Sequence, residues 1–320
     1  MKKAIGVDIG GTKISLVLGD EKGSIKIQKI LPTLTGAKTH EGVRALVKTL
    51  EQVKKQAGGR IEGIGVGIPG PVDSRKGIVP KSPNLPGWEN LPLARILRNE
   101  LKLPVLMGND ANAAALGEKL FGQGKGKKDF IYVTVSTGIG SGIIVDGKLL
   151  EGVSFVAGEV GHMTIVSSGQ LCKCGKKGCL EAYASGTAIA GMAGKFFNLP
   201  GKSAEKKKVF GKEPVSARLL GLAGRKGNKT SLEIYSTAGF YLGVGLSNLL
   251  NTLNPEMIIL GGGVWNSAPK TFWNSMMKSC RENAWPQAFK AAKIVRSNLK
   301  GHSGDLGALA PGFEAAGLSS

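Results

Sequence analysis

Histidine and cysteine are scarce in this chain, three of one and four of the other among 320 residues. A disulfide framework is not expected from them. No secretory leader is expected either: "MKKAIGVDIGG" sets two lysines before a short apolar run that breaks at Asp8, with no small-residue cleavage site behind it. The expectation is a cytoplasmic protein whose thiols stay reduced. Long hydrophobic runs are also missing, since even "IYVTVSTGIGSGIIV" is interrupted by Ser, Thr and Gly, and no membrane span is expected. Acidic residues are few, 23 against 43 Lys and Arg, for a net charge of +20. Such a balance fits either nucleic acid or a polyanionic small molecule. Aromatics make up only 6% of the chain and none interleave with the lysine runs "GKGKKDF" and "AEKKKVFGK". No helix-turn-helix segment precedes the first strand, so a nucleic-acid partner is not expected.

What is present is a sizeable apolar fraction, 42%, in a length that accommodates two domains or one large one. The runs "AIGVDIG", "ISLVLGD" and "SIKIQKI" are short, β-branched and separated by glycine turns, the pattern of an antiparallel meander. Val43, Leu46, Val47, Leu50 and Val53 recur at helical spacing, which predicts a helix over 40–57 packed on that sheet. A strand at "IEGIGVGIPG", a Pro- and Gly-rich loop over 69–92, a short helix to Leu101, the strand "PVLMG" and a helix from Asp110 follow. The hairpin "FIYVTVSTGIGSGIIVDGKLL" repeats the layout of the amino end, a sign of internal duplication. Helices are then expected over 180–197, through the Lys-rich segment 202–213, and over "SLEIYSTAGFYLGVGLSNLLNTL". The strand "MIILGGG", a helix, the strand "AKIVRSN" and a last helix from about Ser303 close the chain. Strands and helices alternating throughout indicate an α/β fold of two related lobes with a cleft between them.

Two glycine loops stand on the duplicated hairpins. In "DIGGTK", Asp8 ends a strand while Gly10, Gly11, Thr12 and Lys13 form a tight turn whose backbone N–H groups suit phosphate oxygens, with a hydroxyl and an ammonium beside them. "STGIGSG", from Ser136, offers the same chemistry, and "LGGGV" at 260–264 adds a third glycine segment. An ordinary hairpin turn competes with this reading for either loop alone. No G-x-x-x-x-G-K-[ST] string exists, which excludes a P-loop. Gly65, Gly67 and Gly70 spell G-x-G-x-x-G, but Pro69, Pro71 and Asp73 replace the helix that a dinucleotide site requires.

Asn109 and Asp110 fall at a strand end before a helix, where a carboxylate serves either as a helix cap or as a general base. His162, Cys172, Cys174 and Cys179 lie within eighteen residues and supply four borderline-soft ligands, the set for a closed tetrahedral structural zinc site. A disulfide would leave one of three clustered thiols unpaired, and Cys172 and Cys174 are too near for easy bridging. Cys280, far off, reads as a core thiol. Metal binding there would fix Glu159 and Glu181 on either side. Asn84, Asn109, Asp110, Glu159, His162 and Glu181 are then candidate partners for a hydroxylated substrate such as a sugar.

Together "DIGGTK", "GIPGPVD", "GNDANAAALGE", "STGIGSG", "AGEVGH", "CKCGKKGCLEAYASG" and "LGGGV" resemble the ROK family of sugar kinases and related repressors, in order along nearly the whole chain. The specific part is Gly-His, nine residues, then C-x-C-G-x-x-G-C-x-E. The resemblance implies the actin-like ATPase (ribonuclease H-like) duplicated fold. It implies a smaller α/β lobe of 1–115 plus 301–320 with the first phosphate loop and the catalytic Asp, and a larger lobe of 116–300 with the zinc site, second phosphate loop and dimer interface. It makes Asp110 the base, and Gly70, Asn84, Asn109, Asp110, Glu159, His162 and Glu181 the sugar site. Gly10, Gly11, Thr12, Lys13, Thr137 and Gly138 would hold ATP phosphates, Gly262 and Gly263 the nucleoside, and Asp8 would act through Mg²⁺. The implied reaction is ATP-dependent phosphorylation of a hexose 6-hydroxyl, with "LEAYASG" and "SPNLPGW" most like glucokinases. N-acetylmannosamine and N-acetylglucosamine kinases share the signatures, and a sugar-sensing repressor without its DNA-binding domain is the alternative from another class. The expected assembly is a homodimer or dimer of dimers.

Overall fold

The computed structural model describes residues 1–80, 85–299 and 301–315. The chain opens with β1 (Lys3–Ile9), β2 (Lys13–Asp20) and β3 (Ile25–Pro32). β1 and β2 pair antiparallel from Lys3 opposite Asp20 to Ile9 opposite Ile14, and β3 adds antiparallel to β2 with a bulge at Leu18/Gly19. Helix α1 (Thr39–Gln56) follows, and then β4 (Ile64–Ile68), α2 (Leu93–Leu101), β5 (Val105–Asn109) and α3 (Asp110–Phe121). β4 and β5 join as parallel strands, giving the order β3-β2-β1-β4-β5.

The second half contains β6 (Phe130–Val135), β7 (Ile139–Val145), β8 (Lys148–Leu149), α4 (Glu181–Ala184), α5 (Gly186–Phe197), α6 (Ser203–Phe210) and α7 (Ala217–Arg225). It continues through α8 (Lys229–Leu253), β9 (Met257–Gly261), α9 (Lys270–Asn283), α10 (Pro286–Ala291), β10 (Lys293–Arg296) and α11 (Ser303–Glu314). Its sheet runs β8-β7-β6-β9-β10, which is the first order with each strand advanced by five, and β6, β9 and β10 are again parallel. The repeat seen in the hairpin sequences therefore extends to whole sheets.

The chain divides into two compact units: residues 1–128, 142–158 and 297–320, and residues 129–141 and 159–296. In the first unit, Val43, Leu46, Leu50 and Val53 of α1 form one buried stripe, while Val47 sits on its flank and is only partly buried. Full burial of Leu46, Leu50 and the α2 residue Leu97 contributes about 1.5–3 kcal/mol each. On the other face of the sheet, Ala4 and Val17 pack with Leu306 and Leu309 of α11. α11 also crosses α3 at two glycines: a Cβ at Gly117 would lie 2.9 Å from the Gly307 Cα, and one at Gly307 would lie 2.9 Å from the Ala114 Cα. Backbone meets backbone there, so any side chain would force the helices apart.

In the second unit, the sequence predicts one helix over 180–197, and the structure has two. Ser185 interrupts them with ψ of 164°, and its hydroxyl accepts the Ala188 N–H at 3.1 Å as the N-cap of α5. The cause lies in the next residue: Gly186 donates its N–H to the Ser136 carbonyl at 2.7 Å, and a Cβ at 186 would lie 2.7 Å from that same oxygen. The helix restarts so that this backbone can touch the loop before β7. No helix among the described residues is long and apolar enough to cross a membrane.

Candidate active site

In the first unit, β1 delivers Asp8 to the mouth of the first glycine loop, opposite Ser15 on β2 and Gly67 on β4. The turn closes through Gly10 N–H to the Lys13 carbonyl at 2.8 Å. Thr33 pins it from outside, its hydroxyl donating to Gly10 O at 2.7 Å and its N–H to Thr12 O at 3.0 Å. Gly11, Thr12 and Lys13 stay exposed, as a loop that receives a ligand must. Burial, above all, raises the Asp8 carboxyl to about 6; the charges of Asp110 and Asp305 add to this and Lys13 opposes it.

Asp305 was not read from the sequence as a site residue. It sits in the first turn of α11, where its Oδ1 accepts from Ser15 Oγ at 2.6 Å and its Oδ2 from Gln28 Nε2 at 2.9 Å. A Cβ at the adjacent Gly304 would lie 2.3 Å from Asp8 Oδ2, so the start of α11 backs directly onto that carboxylate. The signal available was a first-turn acid followed by small and apolar residues, "SGDLGALAPG".

Asn109, not Asp110, caps α3: its Oδ1 accepts the Ala111 N–H at 2.9 Å while its Nδ2 donates to Gly70 O at 3.1 Å. Gly70 has φ of +93°, a conformation that favours glycine, and it turns that carbonyl toward Asn109. Asp110 is the first residue of the helix itself, with its Oδ1 also accepting from Ala111 N–H at 2.8 Å. The strand end therefore holds both side chains of the pair, and the capping alternative for Asp110 belongs to its neighbour. Asn84 lies outside the described residues.

In the second unit, the second glycine loop closes through Ser136 N–H to Gly138 O at 2.9 Å. Thr187 donates twice to Thr137 O, from its hydroxyl at 2.8 Å and its N–H at 3.2 Å. Glu181, at the start of α4, accepts the Ile139 N–H at 2.9 Å, and a Cβ at Gly138 would lie 2.3 Å from the same Oε2. A phosphate-type loop and a candidate sugar carboxylate are thus one hydrogen-bonded assembly. Gly262, with φ of +97°, runs so close to β6 that a Cβ would meet Val135 O at 2.3 Å, while Gly263 stands 3.6 Å by the same measure from Ser136 Oγ.

His162, Cys172, Cys174 and Cys179 come together with all ligand atoms within 4.8 Å of one another. His162 Nδ1 stands 3.9 Å from Cys172 Sγ, and Cys174 Sγ stands 3.6 Å from Cys179 Sγ. A tetrahedron with Zn–S near 2.3 Å and Zn–N near 2.0 Å has edges of about 3.5–3.8 Å, so the donor set fits zinc in both chemistry and spacing. Burial pushes the Cys172 thiol up and the Cys179 thiol up to about 12, while the Lys176 N–H, above all, draws the Cys174 thiol down. Filling the site would release protons. The imidazole divides its nitrogens: Nδ1 faces the thiols, and Nε2 stands 4.0 Å from Glu159 Oε2.

A family model described as the ROK family matches residues 4–311. Over 306 residues the chain is 34% identical to a glucokinase of Thermotoga maritima, covering 96% of each. It is also 34% identical to a xylose repressor of Caldicellulosiruptor bescii, covering 96% of this chain and 77% of the repressor. The crystal structure of a ROK family glucokinase from Streptomyces griseus in complex with glucose and AMPPNP superposes with a TM-score of 0.80 at 33% identity, covering 96% of this chain and 98% of that one.

Proposed function

We propose, from the premise that this chain belongs to the ROK family, that it transfers the γ-phosphoryl group of ATP to the 6-hydroxyl of a hexose, with glucose as the acceptor. Its fold is the actin-like ATPase duplication, and the chain is a sugar kinase of the glucokinase type. The division of labour at the start of α3 supports the mechanism most directly: Asn109 takes the cap, and the Asp110 carboxylate is assigned to the acceptor hydroxyl. In phosphoryl transfer the bond to the leaving oxygen is largely broken before the new one forms, so the base need not create a strong nucleophile. Asp110 takes the 6-hydroxyl proton late in the step, as the hydroxyl oxygen gains its bond to phosphorus and ADP departs with the bonding electrons.

The N–H groups of Gly11, Thr137 and Gly138, with the Thr12 hydroxyl and Lys13 ammonium, receive the phosphates, while Gly10, its N–H spent on the Lys13 carbonyl, shapes the turn against them. Gly262 and Gly263 lie against the nucleoside. Gly70, Asn84, Asn109, Glu159, His162 and Glu181 read the sugar hydroxyls, the carboxylates as acceptors and the His162 Nε2 side as a donor. Magnesium carried by ATP would supply neutralising charge to the phosphates, and Asp8 is the side chain assigned to its hydration shell. Zinc, held by His162, Cys172, Cys174 and Cys179, supplies a structural brace for the segment that carries Glu159 and Glu181. The protein is assigned to the cytoplasm, as a homodimer or dimer of dimers, without a nucleic-acid partner.

The test is a coupled assay with Mg-ATP over glucose, mannose, fructose, N-acetylglucosamine and N-acetylmannosamine. Glucose is expected to give the highest kcat/KM; a preference for an N-acetylhexosamine would reassign the acceptor within the same reaction. The 34% identity to a xylose repressor supports one other reading, a sugar sensor. Sugar binding without turnover on any acceptor would favour it.

A further inference from the structure

We infer that the first unit carries a second ligand site, a cavity behind α3 that takes a small hydroxylated anion. Its volume is about 480 Å³, within the range of pockets that enclose metabolites. All its lining residues belong to the first unit, and neither Asp8, Asp110 nor the glycine loop is among them. Residues 110 and 112 are about 200° apart around an α-helix, so Asn112 opens onto the side of α3 away from the base.

Asn112 carries the argument. It lines the cavity, is only 5% exposed, and its Oδ1 has no hydrogen-bond partner among the described residues. A buried acceptor left without a donor is unfavourable, and a ligand hydroxyl would satisfy it. The charge around the cavity selects the rest of the molecule. Arg75 and Arg98 both line it, and both are held: Arg75 lies 5.3 Å over the Phe155 ring, and Arg98 Nη2 lies 3.4 Å from Val105 O. Of the two lining carboxylates, Glu314 already meets Lys119 at 3.4 Å, so the two arginines with Glu151 leave the lining one positive charge in excess. An anionic group fits the arginines, and a phosphate or carboxylate takes their forked donors equally well. Val105, Leu106, Leu116, Leu149 and Pro311 supply walls for the C–H faces of a short polyol. The ligand class is therefore a phosphorylated or carboxylated polyol small enough for the cavity. Because Asn112 belongs to the first turn of the helix that begins with Asp110, occupancy would bear on that turn.

The binding claim does not depend on the kinase reading, and the experiment keeps the two apart. Isothermal titration of the full chain, with glucose and AMPPNP saturating the assigned active site, would use glucose 6-phosphate, 3-phosphoglycerate and citrate as probes. At least one is expected to bind with 1:1 stoichiometry; a phosphate probe or citrate winning identifies which anion the arginines prefer. Asn112→Leu and Arg75→Ala are each expected to weaken it about tenfold or more, the loss of one charge-assisted or buried hydrogen bond. Leu106→Trp, which fills the cavity from the edge strand, should abolish binding while glucose phosphorylation continues. Should Asn112→Leu fail to fold, Arg75→Ala and Leu106→Trp still decide. No binding by any probe, or binding unchanged in Arg75→Ala and Leu106→Trp, overturns the inference, whatever the coupled assay reports.

Discussion

The two duplicated hairpins share strand order and glycine loops, yet they have diverged in what surrounds them. The loop at Gly10 is closed by its own backbone and pinned from one side by Thr33, and its base carries a half-buried carboxyl pushed up to about 6 beside two more acids. The loop at Gly138 has its acid, Glu181, bound to the loop's own backbone through Ile139. It is tied as well to the restart of a helix through Ser136, Thr137 and Gly186. On the proposed assignment one copy gathers the acids that would serve metal-nucleotide chemistry, and the other would link a phosphate loop to a carboxylate that reads the substrate. Topology constrained both copies; local side chains decided their jobs.

The sharpest way to break this division is Asp110→Asn. It should lower kcat by about a thousandfold or more while KM for glucose moves only a few-fold, measured by steady-state kinetics. Near-normal turnover would strip the first copy of its chemical role. Next in size, Cys179→Ala should lose the metal in elemental analysis and raise KM for glucose about 10- to 100-fold. Asp8→Asn in the first unit should leave metal content untouched.

A paired substitution sharpens the contrast between the loops themselves. Gly138→Ala drives a Cβ toward Glu181 Oε2, at 2.3 Å, and should raise KM for both ATP and glucose about tenfold. Gly10→Ala meets only Lys13 O, at 3.1 Å, and should affect ATP alone, by less. Equal effects on both substrates from the two variants would erase the distinction.

The smallest effect is in pH dependence. Because the folded pKa of Asp8 is raised from 3.8 to about 6, the folded chain holds this proton more tightly than the unfolded one. The group's contribution to stability without ligand is therefore greatest at low pH and is lost as pH rises from about 4 to about 6. Affinity for Mg-ATP should run the other way, falling as pH drops through about 6. Asp8→Asn should flatten both profiles, the first in thermal melts and the second in the pH dependence of kcat/KM for ATP.

Much of this was legible in the sequence because it rests on local rules. Apolar spacing marked α1, β-branched runs between glycines marked the meander, and the cysteine spacing marked a cluster that the fold does close to within 4.8 Å. What escaped was non-local. Ser185-Gly186 in "LEAYASGTAIAG" is only a weak local sign of a break, and the requirement for it comes from Ser136 some fifty residues away. Asp305 gains its place only in the fold, where β2 and β3 bring Ser15 and Gln28 to it. At α3 the sequence offered the Asp110 carboxylate as either cap or base; that Asn109 takes the cap emerged only with the fold, where its amide reaches the Gly70 carbonyl.

The crossing of α3 and α11 at Gly117 and Gly307 has a consequence for how this protein fails. The helix that begins with Asp110 is propped from behind by a segment translated nearly two hundred residues later, with no side chain between them to cushion a change. A premature stop just before Ser303 would delete none of the residues assigned to either substrate and should still leave an inert product, because the floor under the helix that carries the proposed base would be gone. Late nonsense alleles should therefore be as damaging as early ones.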